Sequence, residues 1–136
     1  MRKERILIKC NLLKSNHLYC NMQINNIEGY FIIDTGASNS CVGFKHKDFF
    51  KLEKFVKSYS ASGAGSEKFD AYKTKKAFVS HNGNKIEKIN FLLIEMDSIN
   101  KALNQNEDIT IHGIIGADIL KKKKALINYS NLELIF

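Results

Sequence analysis

The run Tyr30-Phe31-Ile32-Ile33 ends on a carboxylate, Asp34. Four such residues in a row, preceded by turn formers, read as a buried strand. A charge at the end of that strand is costly to bury unless something satisfies or uses it. The next residues suit the second case. Gly36 allows a tight turn that swings backbone N–H groups toward the carboxylate, and the Thr35 hydroxyl can tie the loop down. Asp-Thr-Gly is also a serviceable turn sequence, so the triplet alone does not separate a site from a bend.

The rest of the chain reads as strands joined by short turns. Residues 5–9 and 18–24 alternate apolar and polar, with turn residues at 25–29 before the strand that carries Asp34. Residues 44–55 hold a short helical turn. Residues 60–66 are small and glycine-containing, and they lie between two strand-like arms, a hairpin pattern whose second arm continues through 73–79. Asn82-Gly83 marks another hairpin and leads into a long strand over 86–96. Asp97 is placed to cap a helix over 98–105, residues 109–115 return to strand, 117–124 form a second helix, and 125–136 a last hairpin about Ser130-Asn131. The sum is mainly β with two or three short helices. With 136 residues, no proline and no linker or repeat, one domain over residues 1–136 is expected.

Composition removes several classes. The longest apolar runs, 30–33 and 91–94, fall far short of a membrane span of about 20 residues. Met1-Arg2-Lys3 begins like a leader, but no apolar stretch follows, so a cytoplasmic chain is expected. Cys10, Cys20 and Cys41 have neither disulfide-framework nor zinc spacing, and His17, His46, His81 and His112 are not spaced to join them, so no metal is expected. The charge of +7 comes largely from Lys45, Lys47, Lys51, Lys54, Lys57 and the run Lys121 to Lys124. With Arg2 and Arg5 the sole arginines and no aromatic-basic pattern, it reads as a solvated lysine surface, and no nucleic-acid partner is expected.

Two further features lie downstream of Asp34. Gly113-Ile114-Ile115-Gly116 is an apolar strand broken by glycine, and Ala117-Asp118-Ile119-Leu120 follows at once as a helix. Ser62, Gly63, Ala64, Gly65 and Ser66 form a hairpin tip suited to a mobile lid. In order and spacing the three features resemble the single-domain retropepsin-like aspartic proteases, particularly the bacterial members. The likeness spans about residues 5–136 and is specific as the pair of the Asp34 motif and Ile114-Ile115-Gly116.

That resemblance implies a closed-barrel-like acid-protease fold, one lobe with one flap hairpin between Tyr59 and Tyr72. It implies an endopeptidase with Asp34, Thr35 and Gly36 as the catalytic triplet. Ala37, Ser62, Gly63, Ala64 and Gly65 would contact substrate or form the flap, and Ile114, Ile115 and Gly116 would support the site. No metal or organic cofactor is implied. In the family two carboxylates about 3 Å apart share one proton, because both cannot easily ionise. The ionised one takes a proton from water, the water attacks the peptide carbonyl, and the protonated one polarises the carbonyl oxygen. Asp48, Asp70, Asp97, Asp108 and Asp118 begin no second Asp-Thr/Ser-Gly, so the second carboxylate is expected from a second copy across a two-fold axis. Thr35 would hydrogen-bond across that dimer, and residues 5–8 and 132–136 are interface candidates. Pocket walls are expected from Ile32, Ala37 and residues 111–115, which favours apolar side chains beside the cut bond.

This chain also departs from the family pattern. Ala37 stands where many pepsin-like enzymes carry a hydroxyl that lowers the carboxylate pKa, which predicts a less acidic working range. Retroviral members carry an Arg in the helix after the apolar-Gly motif. Here Ala117-Asp118 follows, so the support of the aspartate loop is expected to differ. Other chemistries fit poorly. A sugar-kinase-type ATPase needs two lobes and a second phosphate loop, a phosphoaspartate phosphatase needs Asp where Gly36 stands, and residues 62–66 lack the Gly-Lys-Ser/Thr of a P-loop. The rival reading is a catalytically silent module of the same fold that binds peptide or dimerises.

Overall fold

The computed structural model describes residues 5–62, 68–103 and 109–136. Alternation and turn chemistry carry most of them into strands. In order these are β1 (Leu7–Leu12), β2 (Leu18–Ile24), β3 (Ile27–Ile33), β4 (Cys41–Gly43), β5 (Lys54–Ser62), β6 (Lys68–Thr74), β7 (Ala77–His81), β8 (Asn84–Ile89) and β9 (Leu92–Ile94). Helix α1 (Asp97–Leu103), β10 (Gly113–Ile115), α2 (Ala117–Lys122), β11 (Leu126–Asn128) and β12 (Glu133–Ile135) complete the chain. A 3-10 turn at Phe44–His46 supplies the expected helical turn after β4.

Several boundaries move for identifiable reasons. The turn expected over 25–29 closes in two residues, because Asn25 and Asn26 adopt left-handed φ of 51° and 67°. Ile27, Glu28 and Gly29 are thereby released into β3. The long strand expected over 86–96 breaks at Asn90-Phe91 and changes partner from β7 to β6 and β4. Thr74 bridges the break: its carbonyl accepts from Asn90 Nδ2 at 2.7 Å and its hydroxyl from the Phe91 N–H at 2.9 Å. Lys75 and Lys76 likewise separate β6 from β7. The strand expected from 109 shrinks to Gly113–Ile115, since the Asn100 side chain takes both the N–H (2.8 Å) and the C=O (3.0 Å) of Ile111. Asp97 is the first residue of α1 rather than its cap, and the Glu95 carboxylate accepts the Asp97 N–H. Residues 104 and 105, expected to end that helix, lie outside the described residues.

The strands form one sheet in the order β11-β12-β1-β2-β3-β10-β4-β9-β6-β5, with the β7–β8 hairpin branching from β2. The mainly β architecture with short helices is as expected. The sheet itself is open rather than closed into a barrel, because no pairing among the described residues joins β11 to β5. Strand β3 lies between β2 and β10, and its last three residues, Phe31, Ile32 and Ile33, are buried on both faces. Phe31 and Ile33 enter one core cluster with Val42, Phe50, Ile115 and Ile119, whereas Ile32 enters a second with Tyr19, Ala71, Ile94, Met96 and Ile111. Period-two alternation therefore divides one strand between two cores. Cys10 and Cys20 are buried free thiols opposite each other on β1 and β2. Among the described residues no helix is long and apolar enough to cross a membrane.

Candidate active site

Strands β3 and β10 run parallel, with Ile32 opposite Ile114 and Ile33 opposite Ile115. They end together, and the Asp34 N–H extends the pairing by donating to the Ile115 carbonyl at 3.0 Å. The chain then turns: the Ala37 N–H donates to the Asp34 carbonyl at 3.2 Å, and the Gly36 N–H donates to Asp34 Oδ1 at 2.9 Å. The buried strand thus delivers its carboxylate to an exposed position, Asp34, Thr35 and Gly36 all being exposed. Alternation along β3 puts Asp34 on the face of Ile32, where Ile114 and Cys41 pack against the second core cluster.

The loop after Asp34 is clasped by the start of α2. The Ala117 N–H donates to the Ala37 carbonyl at 2.7 Å. This close approach requires glycine at 116, where a Cβ would lie 2.5 Å from the Ala37 carbonyl oxygen. At the other end of β10 a Cβ on Gly113 would lie 2.2 Å from the Cys41 carbonyl oxygen, so glycine is what lets β10 sit between β3 and β4. Ser40 is fully buried. Its hydroxyl accepts the Gly116 N–H at 2.9 Å and donates to Asp118 Oδ1 at 2.7 Å, and its own N–H donates to Asp118 Oδ2 at 2.9 Å. Asp118 Oδ1 also accepts the Ile119 N–H at 2.9 Å. Burial, then the charges of Asp118 and Asp34, push the neighbouring Cys41 thiol up to about 12, so it stays protonated and is a poor nucleophile.

Asp34, Gly36, Ala37, Ile115 and Gly116 are thus brought together around one loop, and Ile114 lies beside Ile32 on the carboxylate-bearing face. Ser62 ends β5 opposite Lys68 in a long hairpin. Gly63, Ala64 and Gly65, expected at its tip, lie outside the described residues. Ser40 and the role of Asp118 escape the sequence reading, whereas Gly113 stands in it as the residue that opens the apolar motif. A serine bonded to an aspartate 78 positions away leaves no local pattern. Among the described residues no three His, Cys, Asp or Glu side chains are grouped to hold a metal ion.

No protein-family model matches the chain, and no curated protein matches it by sequence. Solved structures do. A retropepsin-like aspartic protease from Rickettsia conorii aligns with 99% of this chain and 95% of its own, at a TM-score of 0.57 and 20% identity. The EIAV protease in complex with the inhibitor HBY-793 aligns with 85% of this chain and 95% of its own, at a TM-score of 0.55 and 20% identity. The retroviral protease-like domain of Ddi1 from Leishmania major aligns with 84% of this chain and 82% of its own, at a TM-score of 0.52 and 21% identity. With its aspartate loop at the common end of two parallel strands and a glycine-clasped helix behind it, this chain has the fold of the retropepsin-like aspartic proteases.

Proposed function

We propose that the chain is an aspartic endopeptidase that works as a two-fold homodimer, with Asp34 of each copy supplying one carboxylate of a shared dyad. The observation that carries this reading is the Asp34 carboxylate itself, exposed after three strand residues buried on both faces and held by the Gly36 N–H in a loop locked from behind by Gly116 and Ala117. Paired across a two-fold axis, one carboxylate keeps the shared proton and the other takes a proton from water. The water then attacks the peptide carbonyl while the protonated partner hydrogen-bonds its oxygen. In this reading Thr35 ties one loop to the other across the dimer, and the β5–β6 hairpin closes over a peptide. The single domain over residues 1–136 and a cytoplasmic setting belong to the same proposal.

The sheet end supports a dimer. Leu7, Ile135 and Leu126 are direct cross-strand neighbours and so share one face of β1, β12 and β11. Leu7 is 48% and Leu126 52% exposed, whereas Ile8 and Leu134, one step along, are fully buried. An uncovered apolar row beside an edge strand suits a self-complementary contact.

The test is cleavage of an unstructured protein by the wild type and by Asp34→Asn, from about pH 4 to 7.5, with mass measured by light scattering. Cleavage by a dimer, abolished by Asp34→Asn with the dimer intact, is the expected result. A folded wild-type dimer that cuts nothing would favour the silent peptide-binding or dimerisation module, and a stable monomer would mean that the dyad is not assembled.

A further inference from the structure

We infer that Asp118 is a positioning residue for the Asp34 loop, acting through Ser40, an inference that rests on the aspartic-protease reading of Asp34. The loop from Asp34 to Ser40 has three anchors. At its start the Asp34 N–H is held by Ile115, and in its middle the Ala37 carbonyl is held by the Ala117 N–H. At its end Asp118 holds Ser40 by two bonds, one to the N–H at 2.9 Å and one to the hydroxyl at 2.7 Å. The same hydroxyl accepts the Gly116 N–H at 2.9 Å, so the last anchor also fixes the glycine against which the loop packs.

The chemistry calls for a carboxylate. Three donors converge on the side chain: the Ser40 N–H, the Ser40 hydroxyl and the Ile119 N–H. An ionised carboxylate only accepts, so it satisfies all three, and such charge-assisted bonds are the strong ones. An asparagine cannot do the same. With its oxygen toward Ile119 and the hydroxyl, its NH2 meets the Ser40 N–H; flipped, it meets the Ile119 N–H. A lone capping role for Asp118 on its own helix would account for the Ile119 bond and leave both Ser40 bonds unexplained. The two bonds to Ser40 join α2 to the loop that carries Asp34. Since each copy contributes one carboxylate, an error in the loop is made twice at the dyad.

The experiment compares peptide cleavage, dimer mass and urea stability for wild type, Asp118→Ala, Asp118→Asn, Ser40→Ala, Ser40→Thr and the Asp118→Ala/Ser40→Ala double variant. Misplacing a reacting group by about 1 Å costs up to about 100-fold in rate. Asp118→Ala is therefore expected to lower kcat about 30-fold while KM changes less than about threefold, in protein that is still dimeric and folded at the assay temperature. Asp118→Asn should recover part of the loss. Ser40→Ala should lower kcat and Ser40→Thr, which keeps the hydroxyl, should restore it. The double variant should lose less than the sum of the two single losses, because the Ser40 hydroxyl–Asp118 bond is lost in both single variants, while the Gly116 N–H bond is lost only with Ser40. If Asp118→Ala does not fold, the Ser40 pair reads the same coupling. Folded Asp118→Ala dimer with wild-type kcat, or additive losses in the double variant, would overturn the inference while leaving the protease reading intact. A wild type that cuts nothing would overturn the protease reading, and this inference with it.

Discussion

Asp34 shows how a residue that is expensive in one place becomes useful in another. At the end of an apolar strand its charge threatens a desolvation cost. The turn at Gly36 removes that cost by bringing the side chain to the surface and supplying one N–H. Gly116 carries the complementary constraint. Gly116→Ala places a methyl 2.5 Å from the Ala37 carbonyl oxygen, so a loss of about 1–3 kcal/mol in urea-unfolding stability is expected, with cleavage falling as the loop shifts. His112 carries a pH effect. Its Nδ1 accepts the Tyr30 N–H at 3.0 Å, and its ring lies against Phe49, Phe50 and His46. Burial, then the nearby His46 charge, lowers its pKa to about 4, from 6.5. Between those values the unfolded chain binds the proton and the folded one does not. Stability is thus expected to fall as pH drops from about 6.5 to 4, by up to about 3 kcal/mol, and His112→Asn to flatten that slope in urea titrations across the range.

At the scale of the element, the turns explain most of the boundary shifts. The β2–β3 turn closes in two residues because two asparagines accept positive φ. The two are not equivalent. Asn25 Nδ2 also donates to the Phe50 carbonyl at 2.9 Å, tying the turn to the core, whereas Asn26 contributes its backbone conformation. Asn26→Gly is therefore expected to stabilise by about 0.5 kcal/mol. Asn25→Gly should destabilise by about 1 kcal/mol through the lost bond. Denaturant midpoints of the two variants, moving in opposite directions, check both. The strand expected over 86–96 divides for another reason. Asn90 interrupts its apolar residues, β8 pairs with β7, and β9 pairs with β6 and β4. Which partner each half takes is set by the tertiary fold rather than by the local residues.

For the whole molecule the question is what covers the row of Leu7, Ile135 and Leu126. If a second copy covers it, Leu126→Lys should shift the protein to monomer in sedimentation and abolish cleavage, while the urea midpoint of the isolated chain stays within about 0.5 kcal/mol, as usual for an exposed site. A dimer that persists in Leu126→Lys would place the interface elsewhere. The same scale explains why a chain with one Asp-Thr-Gly can still be read as a two-carboxylate enzyme: symmetry supplies what a single copy lacks.

Local chemistry was legible in the residues alone. Alternation, Asn-Gly and Asn-Asn turns, and a carboxylate after an apolar strand are short-range patterns, and they point to a mainly β chain and single out Asp34, whereas the link between its motif and Ile114-Ile115-Gly116 comes from the family resemblance. Tertiary structure decided what depends on distant partners. It decided that β3 serves two cores, that β10 lies between β3 and β4 because Gly113 has no side chain, and that Ser40 and Asp118 meet behind the aspartate loop. Those contacts join residues far apart in the chain, and hydrogen bonds between such residues leave no periodicity to read.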